Sequence, residues 1–235
     1  VRWVLGVVAE NRWAEVNPRT GEATALDGMP QPSGWSNSTL MPLPTTHTVP
    51  SCGWMVRQHA MAGKFDRQRA DDLNLSTKER ATLARGEDIT AADGTTLEAA
   101  WFRGGKRAPV SVLISGDTAS TPPAWVPDAA PTLLIHEATF LDEQQDKADE
   151  HQHSTAAGAV ASALAVGAES LALTHYSNRI KSSEKVVEEA VSVAGDLPVV
   201  ALNESDRMVV NDDGTVHHLG WNDGQWWGLN IKPNR

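Results

Sequence analysis

The 235-residue sequence predicts an α/β protein, and three observations lead to this class. The second half of the chain alternates short apolar runs with helical patterns, an order of elements typical of a mainly parallel sheet. Side chains able to bind metals follow several of these runs directly, as they do at the carboxyl ends of strands in such sheets. The composition, 40% hydrophobic and 21% charged, is that of a globular protein with one large domain or two small ones.

Short strands are predicted for the N-terminal quarter of the chain. The pattern favours three strands, of which the first is expected to be buried: residues 1–9, 13–16 and 22–26. Residues 27–44 hold six glycines and prolines and are predicted to form a loop. A further strand is predicted over Cys52–Gln58.

Helices and strands alternate in the rest of the chain. Short helices are predicted within residues 66–86. Four apolar runs are predicted to be strands of one sheet: residues 110–114, 133–135, 171–174 and 199–202. Two helical patterns lie between the last three of these runs, over residues 154–166, with Ser154 or Thr155 as cap, and 182–194.

The C-terminal segment, residues 212–235, is predicted to be a tryptophan-rich hairpin extension of a single domain over 1–235. Turn sequences near residues 213 and 223 separate three predicted strands: 208–211, 215–219 and 225–231. We expect the tryptophans to cover a sheet face, because their side chains bury large areas. A protein-partner patch is the alternative. Base stacking is a further alternative, although residues 221–228 contain no basic residue to support it.

Composition also limits the function classes. The net charge of −10 disfavours nonspecific binding to polyanions, although a local basic site or a bound metal would reverse that. No apolar stretch approaches the ~20 residues that cross a bilayer, which excludes a membrane-spanning protein. Cys52 is the single cysteine, so an intrachain disulfide is impossible and a reducing, cytoplasmic location is expected.

Metal-binding side chains follow three of the predicted strands. Asp117 follows the run that ends at Ile114, His136 and Glu137 follow Ile135, and His175 follows Thr174. A carboxylate with imidazoles is a ligand set typical of zinc or manganese. Each residue taken alone is more typical of a turn cap or a buried polar group.

The order of these motifs is similar to that of one enzyme family. Six segments carry the resemblance: 47–54 (HTVPSCGW), 63–66 (GKFD), 115–118 (SGDT), 136–140 (HEATF), 153–155 (HST) and 173–179 (LTHYSNR). In sequence and spacing they resemble ribonuclease Z, the tRNA 3′-processing family of the metallo-β-lactamase fold, over residues 43–210. The resemblance implies an αββα sandwich, represented mainly by its C-terminal half.

The resemblance also implies roles for seven residues. The catalytic groups would be His153, as proton donor, and Glu137, which would orient it. The metal ligands would be His47, Asp117 and His175. The phosphate contacts would be Ser177 and Arg179. The implied cofactor is a pair of divalent ions, zinc or alternatively manganese, which clamp a phosphodiester and activate water. The implied substrate is RNA, namely precursor tRNA.

One expected feature is absent from the sequence. The family's main metal-binding signature, His-x-His-x-Asp-His, should precede His47, but residues 1–46 contain no histidine. We therefore expect a longer natural protein, or a homodimer or complementing chain that completes the site. Three ligands are too few to hold two metals tightly, so the isolated chain is expected to be inactive.

Three functions remain open at this point. The first is a 3′-tRNA endoribonuclease. The second is another hydrolase of the same fold, a cyclic-nucleotide phosphodiesterase or an arylsulfatase-like enzyme. The third is a non-catalytic subunit or split half that has lost the metal site, which the missing signature and the net acidity support.

The other histidines receive structural predictions. His136 lies on an apolar strand and is expected to pack rather than bind metal. His151 is not expected to form a zinc pair with His153, because the Ser-Thr that follows His153 matches the catalytic loop. His217 and His218 are adjacent on one strand, so their side chains are expected to point to opposite faces.

Overall fold

The computed structural model describes residues 2–91, 93–105 and 107–229. The chain divides into two compact units, one formed by Val1–His59 with Val110–Arg235 and the other by Ala60–Pro109. The single domain over 1–235 and its extension over 212–235 stay predictions, and residues 230–235 of that extension lie outside the described residues. Among the described residues, none of the helices combines the length and apolar character needed to cross a bilayer.

The described strands and helices confirm the α/β class. The strands are β1 (Trp3–Val7), β2 (Arg12–Val16), β3 (Ala23–Leu26), β4 (Ser38–Pro44), β5 (Cys52–Gln58), β6 (Ile89–Thr90), β7 (Thr96–Leu97), β8 (Ser111–Ile114), β9 (Leu133–Glu137), β10 (Leu171–Thr174), β11 (Val199–Ala201), β12 (Arg207–Val210), β13 (Val216–Asn222) and β14 (Gln225–Leu229). The α-helices are α1 (Arg67–Asp72), α2 (Thr77–Ala84), α3 (Gln145–His151), α4 (Ala156–Ala165) and α5 (Ser183–Ala194).

A six-stranded sheet in the larger unit has the order β11-β10-β9-β8-β5-β4. Strands β8 to β11 run parallel, as predicted, and β5 and β4 are antiparallel additions at one side. One face packs against α4 and α5 through fully buried side chains that include Leu113, Leu134, Leu171, Val160 and Val186. The carboxyl ends of β8, β9 and β10 therefore meet at one edge of a rigid layer.

Helices α4 and α5 begin as their sequences predict. The Thr155 side chain accepts a hydrogen bond from the backbone N–H of Gly158, so Thr155 rather than Ser154 is the cap of α4. The Ser182 side chain caps α5 in the same way. Helix α3 was not predicted, because its sequence is polar and lacks an apolar stripe.

Strand β4 corrects the prediction of a loop over residues 27–44. It pairs along its whole length with β5 and forms an edge of the sheet. Proline is compatible with an edge strand, where alternate N–H groups point away from the sheet. The outward N–H and C=O of Leu40 are instead bonded to the Gln31 carboxamide, at 2.7 and 2.9 Å, and the same outward positions at 42 and 44 are prolines.

Strand β1 corrects the prediction of a buried first strand. It forms a three-stranded sheet with β2 and β3, and Trp3, Leu5 and Val7 are 56, 64 and 45% exposed. These side chains are alternate residues of one strand, so they share a face. Residue 1 lies outside the described residues, and residues 8–10 form a short 3₁₀ turn instead of continuing the strand.

The smaller unit has its own core. Helices α1 and α2 and the hairpin of β6 and β7 surround buried residues that include Leu83, Leu97 and Phe102. Ser76 and Glu79 form a reciprocal capping box at the start of α2, which fixes where that helix begins.

Strands β12, β13 and β14 form a separate antiparallel sheet in the larger unit. The two predicted turns are present, with Gly214 and Gly224 in left-handed conformations. Trp221 and Trp227 are 49 and 57% exposed, so these two rings bury less area than expected of tryptophans that cover a sheet face.

Candidate active site

The candidate site lies where three parallel strands end. Asp117 follows β8 through Gly116, Glu137 is the last residue of β9, and His175 follows β10 directly. His47 comes from the loop between β4 and β5, and His153 from the residues between α3 and α4. The structure thus brings together five of the seven predicted site residues, and the strand-end positions of Asp117, Glu137 and His175 indicate this for three of them.

Gly116 is required for the turn that presents Asp117. Its φ is +62°, in the left-handed region, and a Cβ there would lie 2.6 Å from the carbonyl oxygen of Cys52. The backbone of the β8 loop therefore passes against the start of β5, and only glycine meets both conditions.

Glu137 places an almost fully buried carboxylate at the centre of the site. Oε1 accepts hydrogen bonds from the backbone N–H of Thr118 at 2.8 Å and from His153 Nδ1 at 2.6 Å. Oε2 accepts from the hydroxyl of Thr139 at 2.6 Å, from its N–H at 3.2 Å, and from the N–H of Ser154 at 3.1 Å. Because protein donors occupy both oxygens, Glu137 is suited to orienting neighbours rather than to binding a metal.

His153 is held by this carboxylate in one orientation. The hydrogen bond from Nδ1 to Glu137 assigns the proton to Nδ1 and turns Nε2 toward His47, whose Nε2 lies 3.3 Å away. The two rings meet edge to face, with centroids 4.8 Å apart. Nε2 of His153 is therefore the atom of this ring that can exchange a proton with a bound group.

Thr139 links the histidines and was not identified from the sequence. Its hydroxyl donates to Glu137 and lies 2.9 Å from His175 Nδ1 and 3.2 Å from His153 Nδ1. Since that hydroxyl proton is used by Glu137, the contact with His175 assigns a proton to its Nδ1 and leaves Nε2 free to bind a metal. The sequence offers one sign of this role, a threonine two residues after a carboxylate at the end of a strand. That pattern alone is common in turns.

Asp117 lies near the two histidines that are predicted to bind metal with it. Its Oδ1 lies 3.6 Å from His175 Nε2. One ligand atom each from Asp117, His47 and His153 also lie within 4.8 Å of one another. Asp117 therefore adjoins both predicted histidine ligands.

The carboxylate and imidazole groups here fit a divalent ion, and the sets whose ligand atoms lie within 4.8 Å of one another are His47, Asp117 and His153, and Glu137, His153 and His175. Ligand atoms on a tetrahedral zinc with bonds of about 2.0–2.1 Å are separated by roughly 3.3–3.5 Å, close to the Asp117–His175 distance. The N–H of Val49 donates to His47 Nδ1 at 3.2 Å, and Val49 O lies 3.2 Å from the same nitrogen. Three protein ligands suffice for one catalytic zinc, and two ions need more ligands than these.

The two predicted phosphate contacts lie on the loop after His175. Ser177 donates its N–H to Thr139 O at 3.1 Å, and its hydroxyl accepts from the N–H of Arg179 at 3.4 Å. Arg179 is exposed. Within the described part of the chain, no hydrogen bond joins either side chain to the other site residues.

His136 packs in the core, as predicted. It is fully buried, its Nδ1 lies 2.7 Å from Glu137 O, and its ring meets Trp125 edge-on. Its Nε2 has no hydrogen-bond partner among the described residues. Burial lowers the pKa of His136 below its ordinary value, so the ring is neutral in the folded protein.

The remaining histidines lie apart from the candidate ligands. His151 stacks on Phe140 and does not pair with His153. His217 is exposed whereas His218 is buried, which confirms that they point to opposite faces. A cleft of about 580 Å³ adjoins His47, lined by apolar residues that include Val7, Val8 and Val49.

Comparison with known proteins identifies relatives that share one name. No family model matches the chain. It is 37% identical over 142 residues to a ribonuclease Z of Parasynechococcus marenigrum, covering 60% of this chain and 44% of that protein. It is 30% identical over 180 residues to one of Halobacterium salinarum, covering 76 and 55%, and 31% identical over 166 residues to one of Porphyromonas gingivalis, covering 71 and 54%.

Superposition finds weaker likenesses. A metallo-β-lactamase fold protein from Bacillus subtilis is 17% identical, with a TM-score of 0.42 over 74% of this chain and 50% of that one. The short form of human tRNase Z is 20% identical, with a TM-score of 0.39 over 85 and 47%. The chain spans about half the length of the curated relatives that it matches. Over the matched residues, the chain is similar in sequence to curated proteins named ribonuclease Z.

Proposed function

We propose that the chain carries part of the active site of a metal-dependent phosphodiesterase that removes 3′ extensions from precursor tRNA. One observation carries the proposal: Glu137 fixes His153 with Nε2 turned outward, beside the pair formed by Asp117 and His175. The relatives named ribonuclease Z support the RNA substrate. The lone Cys52 supports a reducing, cytoplasmic location.

The metal ligands in this proposal are His47, Asp117 and His175, with Asp117 between the two histidines. Two divalent ions, zinc or alternatively manganese, would activate water and stabilise the charge that develops on the phosphate. The remaining ligands would come from a further part of a longer natural protein, from a second copy of the chain or from a complementing chain. The isolated 235-residue chain is accordingly expected to be inactive.

In the same proposal, His153 holds the proton that the departing ribose oxygen receives. Glu137 positions the ring through Nδ1, and Thr139 fixes the carboxylate that does so. Ser177 and Arg179 are proposed to contact phosphate from the loop beyond His175. The exposed guanidinium of Arg179 is free to move toward an incoming strand.

The test uses the native assembly, purified through a tag on this chain, with metal content and cleavage of 3′-extended precursor tRNA measured together. His153→Ala should lower turnover about 10²–10⁴-fold with the metal content unchanged, since it removes a proton donor and no ligand. Asp117→Ala should release metal and abolish cleavage, because it removes the anion that lies between the histidine ligands.

His151→Ala is the matched control, because it removes an exposed histidine two residues away and should change neither measurement. Loss of metal from His153→Ala, or full metal content in Asp117→Ala, would contradict the roles. Preferred hydrolysis of a cyclic nucleotide or an aryl sulfate would identify a different hydrolase of the same fold. An assembly with neither metal nor cleavage would identify a non-catalytic subunit.

A further inference from the structure

The sheet of β12, β13 and β14 has two faces, and we name the one that bears Trp221 and Trp226 the tryptophan face. Residues paired across antiparallel strands share a face, and alternate residues along each strand share it too. The pairings place seven residues on this face: Arg207, Val209, His217, Leu219, Trp221, Trp226 and Gly228. The exposure of Arg207 and His217, together with the burial of His218 behind them, shows that the face points to solvent.

Two tryptophan rings and a guanidinium are packed together on this face. Trp221 and Trp226 are directly paired across the strands, with ring centroids 4.7 Å apart. The guanidinium carbon of Arg207 lies 4.0 Å from the centroid of the Trp226 ring, a cation–π contact. Trp226 is therefore held between two neighbours, while Trp221 is 49% exposed and offers an open ring surface.

The charge of this face is opposite to that of the whole chain. The net charge of the sequence is −10, yet the seven positions carry Arg207 and His217 and no carboxylate. Among the described residues, Arg207 has no carboxylate within ion-pair distance, so its charge is available to a ligand. An exposed aromatic ring beside an unpaired cation matches the base and the phosphate of a nucleotide.

The tryptophan face is anchored from behind by a buried histidine–aspartate pair. His218 Nε2 lies 2.7 Å from Asp206 Oδ2, and both side chains are 6% exposed. Asp206 Oδ2 also accepts a hydrogen bond from the N–H of Asn203 at 2.9 Å, and the N–H of Leu202 donates to Leu173 O of β10 at 2.9 Å. Asp206 thus connects the start of β12, with Arg207 beside it, to the residues that follow β11 and to β10, the strand that His175 follows.

We propose that the tryptophan face binds single-stranded RNA, with a base stacked on Trp221 and a neighbouring phosphate at Arg207. The proposal rests on the proposed function for the identity of its ligand, and it adds a contact outside the metal site. A protein partner would use the two tryptophans without needing the unpaired cation, so the charge favours RNA. The fold also brings a basic residue to the tryptophans from outside the tail, because Arg207 lies 19 positions before Trp226 in the sequence.

The test measures binding of a fluorescein-labelled oligouridylate of about 12 nucleotides to the full chain by fluorescence anisotropy. Trp221→Ala should weaken binding about 5- to 150-fold, the range found when one stacking ring is removed. Trp221→Phe keeps a ring and should retain most of the affinity. Arg207→Gln should weaken binding and reduce the slope of log affinity against log salt by about 0.7, the contribution of one phosphate contact.

Trp227→Ala is the matched control, because it removes an exposed tryptophan from the opposite side of the same sheet and should leave the affinity unchanged. Equal RNA affinity in the wild type, Trp221→Ala and Arg207→Gln overturns the proposal. So does a loss of self-association or partner binding in Trp221→Ala with unchanged RNA affinity, which assigns the face to a protein interface.

Cleavage of precursor tRNA by the native assembly separates this proposal from the proposed function. Binding that depends on Trp221 and Arg207 without any cleavage supports the RNA face and contradicts the enzyme. Cleavage by an assembly whose RNA affinity is unchanged by both substitutions supports the proposed enzyme function and contradicts RNA binding by the tryptophan face.

Discussion

The Glu137 carboxylate is an anion in the protein interior, and its five hydrogen-bond donors explain how it is tolerated. Desolvating an unpaired carboxylate costs several kcal/mol, which charge-assisted hydrogen bonds offset. Three of these donors are backbone N–H groups, so the loops that carry Thr118, Thr139 and Ser154 are fixed relative to one another. The same bonds that stabilise the charge thereby position His153.

His136 predicts a pH dependence of stability. Its folded pKa is lowered below 6.5 by burial, so the unfolded chain binds a proton at higher pH than the folded chain does. Acidification below about pH 6.5 therefore favours unfolding, and stability rises again as the pH increases. We expect His136→Leu, which removes this titration and keeps an apolar side chain, to lose less stability than the wild type between pH 7 and 5.5.

Urea denaturation at the two pH values measures this difference, with the exposed His151→Leu as the control that keeps the wild-type dependence. Each unit between the folded and unfolded pKa contributes about 1.36 kcal/mol at low pH. Identical dependence in the wild type and His136→Leu would show that another group dominates acid sensitivity.

Two glycines are expected to respond differently to substitution by alanine: Gly116, in the loop between β8 and β9, and Gly214, in the turn between β12 and β13. Gly116 and Gly214 both have positive φ, but a Cβ at Gly214 would meet nothing within 4 Å. Gly214→Ala should cost about 1–2 kcal/mol of unfolding free energy from backbone strain alone. Gly116→Ala should cost about 1–3 kcal/mol more, because its Cβ would contact Cys52 O, and it should weaken zinc binding by displacing Asp117.

Urea denaturation of both variants, with zinc titration of the same samples, checks the pair. Equal losses of stability would mean that the loop moves away from β5 at little cost. Retained zinc affinity in Gly116→Ala would remove the link between this turn and Asp117.

Strands and helices with a clear hydrophobic pattern can be predicted from the sequence, whereas those that depend on contacts between distant residues cannot. The strands that end at Ile114, Glu137 and Thr174 were recognised from compact apolar runs. Strand β4 was missed because its prolines are typical of loops, and only its edge position makes them acceptable.

The candidate site shows the same division. Strand-end carboxylates and histidines were identifiable because sheet topology brings such positions together. Thr139 was missed because its role depends on Glu137 and His175 meeting in space. Arg207 was missed because only the pairing of β12 with β13 brings it over Trp226. Neither arrangement leaves a local sequence pattern.

The larger unit exposes an apolar surface on β1, which predicts association. Trp3, Leu5 and Val7 share one exposed face, and contiguous apolar surface of this kind is typical of interaction sites. If this face joins two copies or a complementing chain, Leu5→Lys should weaken association about 10-fold or more, since a buried leucine contributes about 1.5–3 kcal/mol.

Analytical ultracentrifugation over a concentration series measures this effect. Val126→Lys is the control, because Val126 is 82% exposed but lies outside the β1 face, and it should leave association unchanged. A monomeric wild type at all concentrations, with no co-purifying chain, would contradict the expectation.

The β4 edge restricts how such association can occur. A strand joins a sheet by exchanging hydrogen bonds with outward N–H and C=O groups at alternate positions. Here prolines at 42 and 44 offer no N–H, and Gln31 already occupies both groups of Leu40. This edge is therefore protected against the strand-by-strand growth that leads to aggregates. A chain that binds on this side must make its contacts through side chains and cannot extend the backbone ladder.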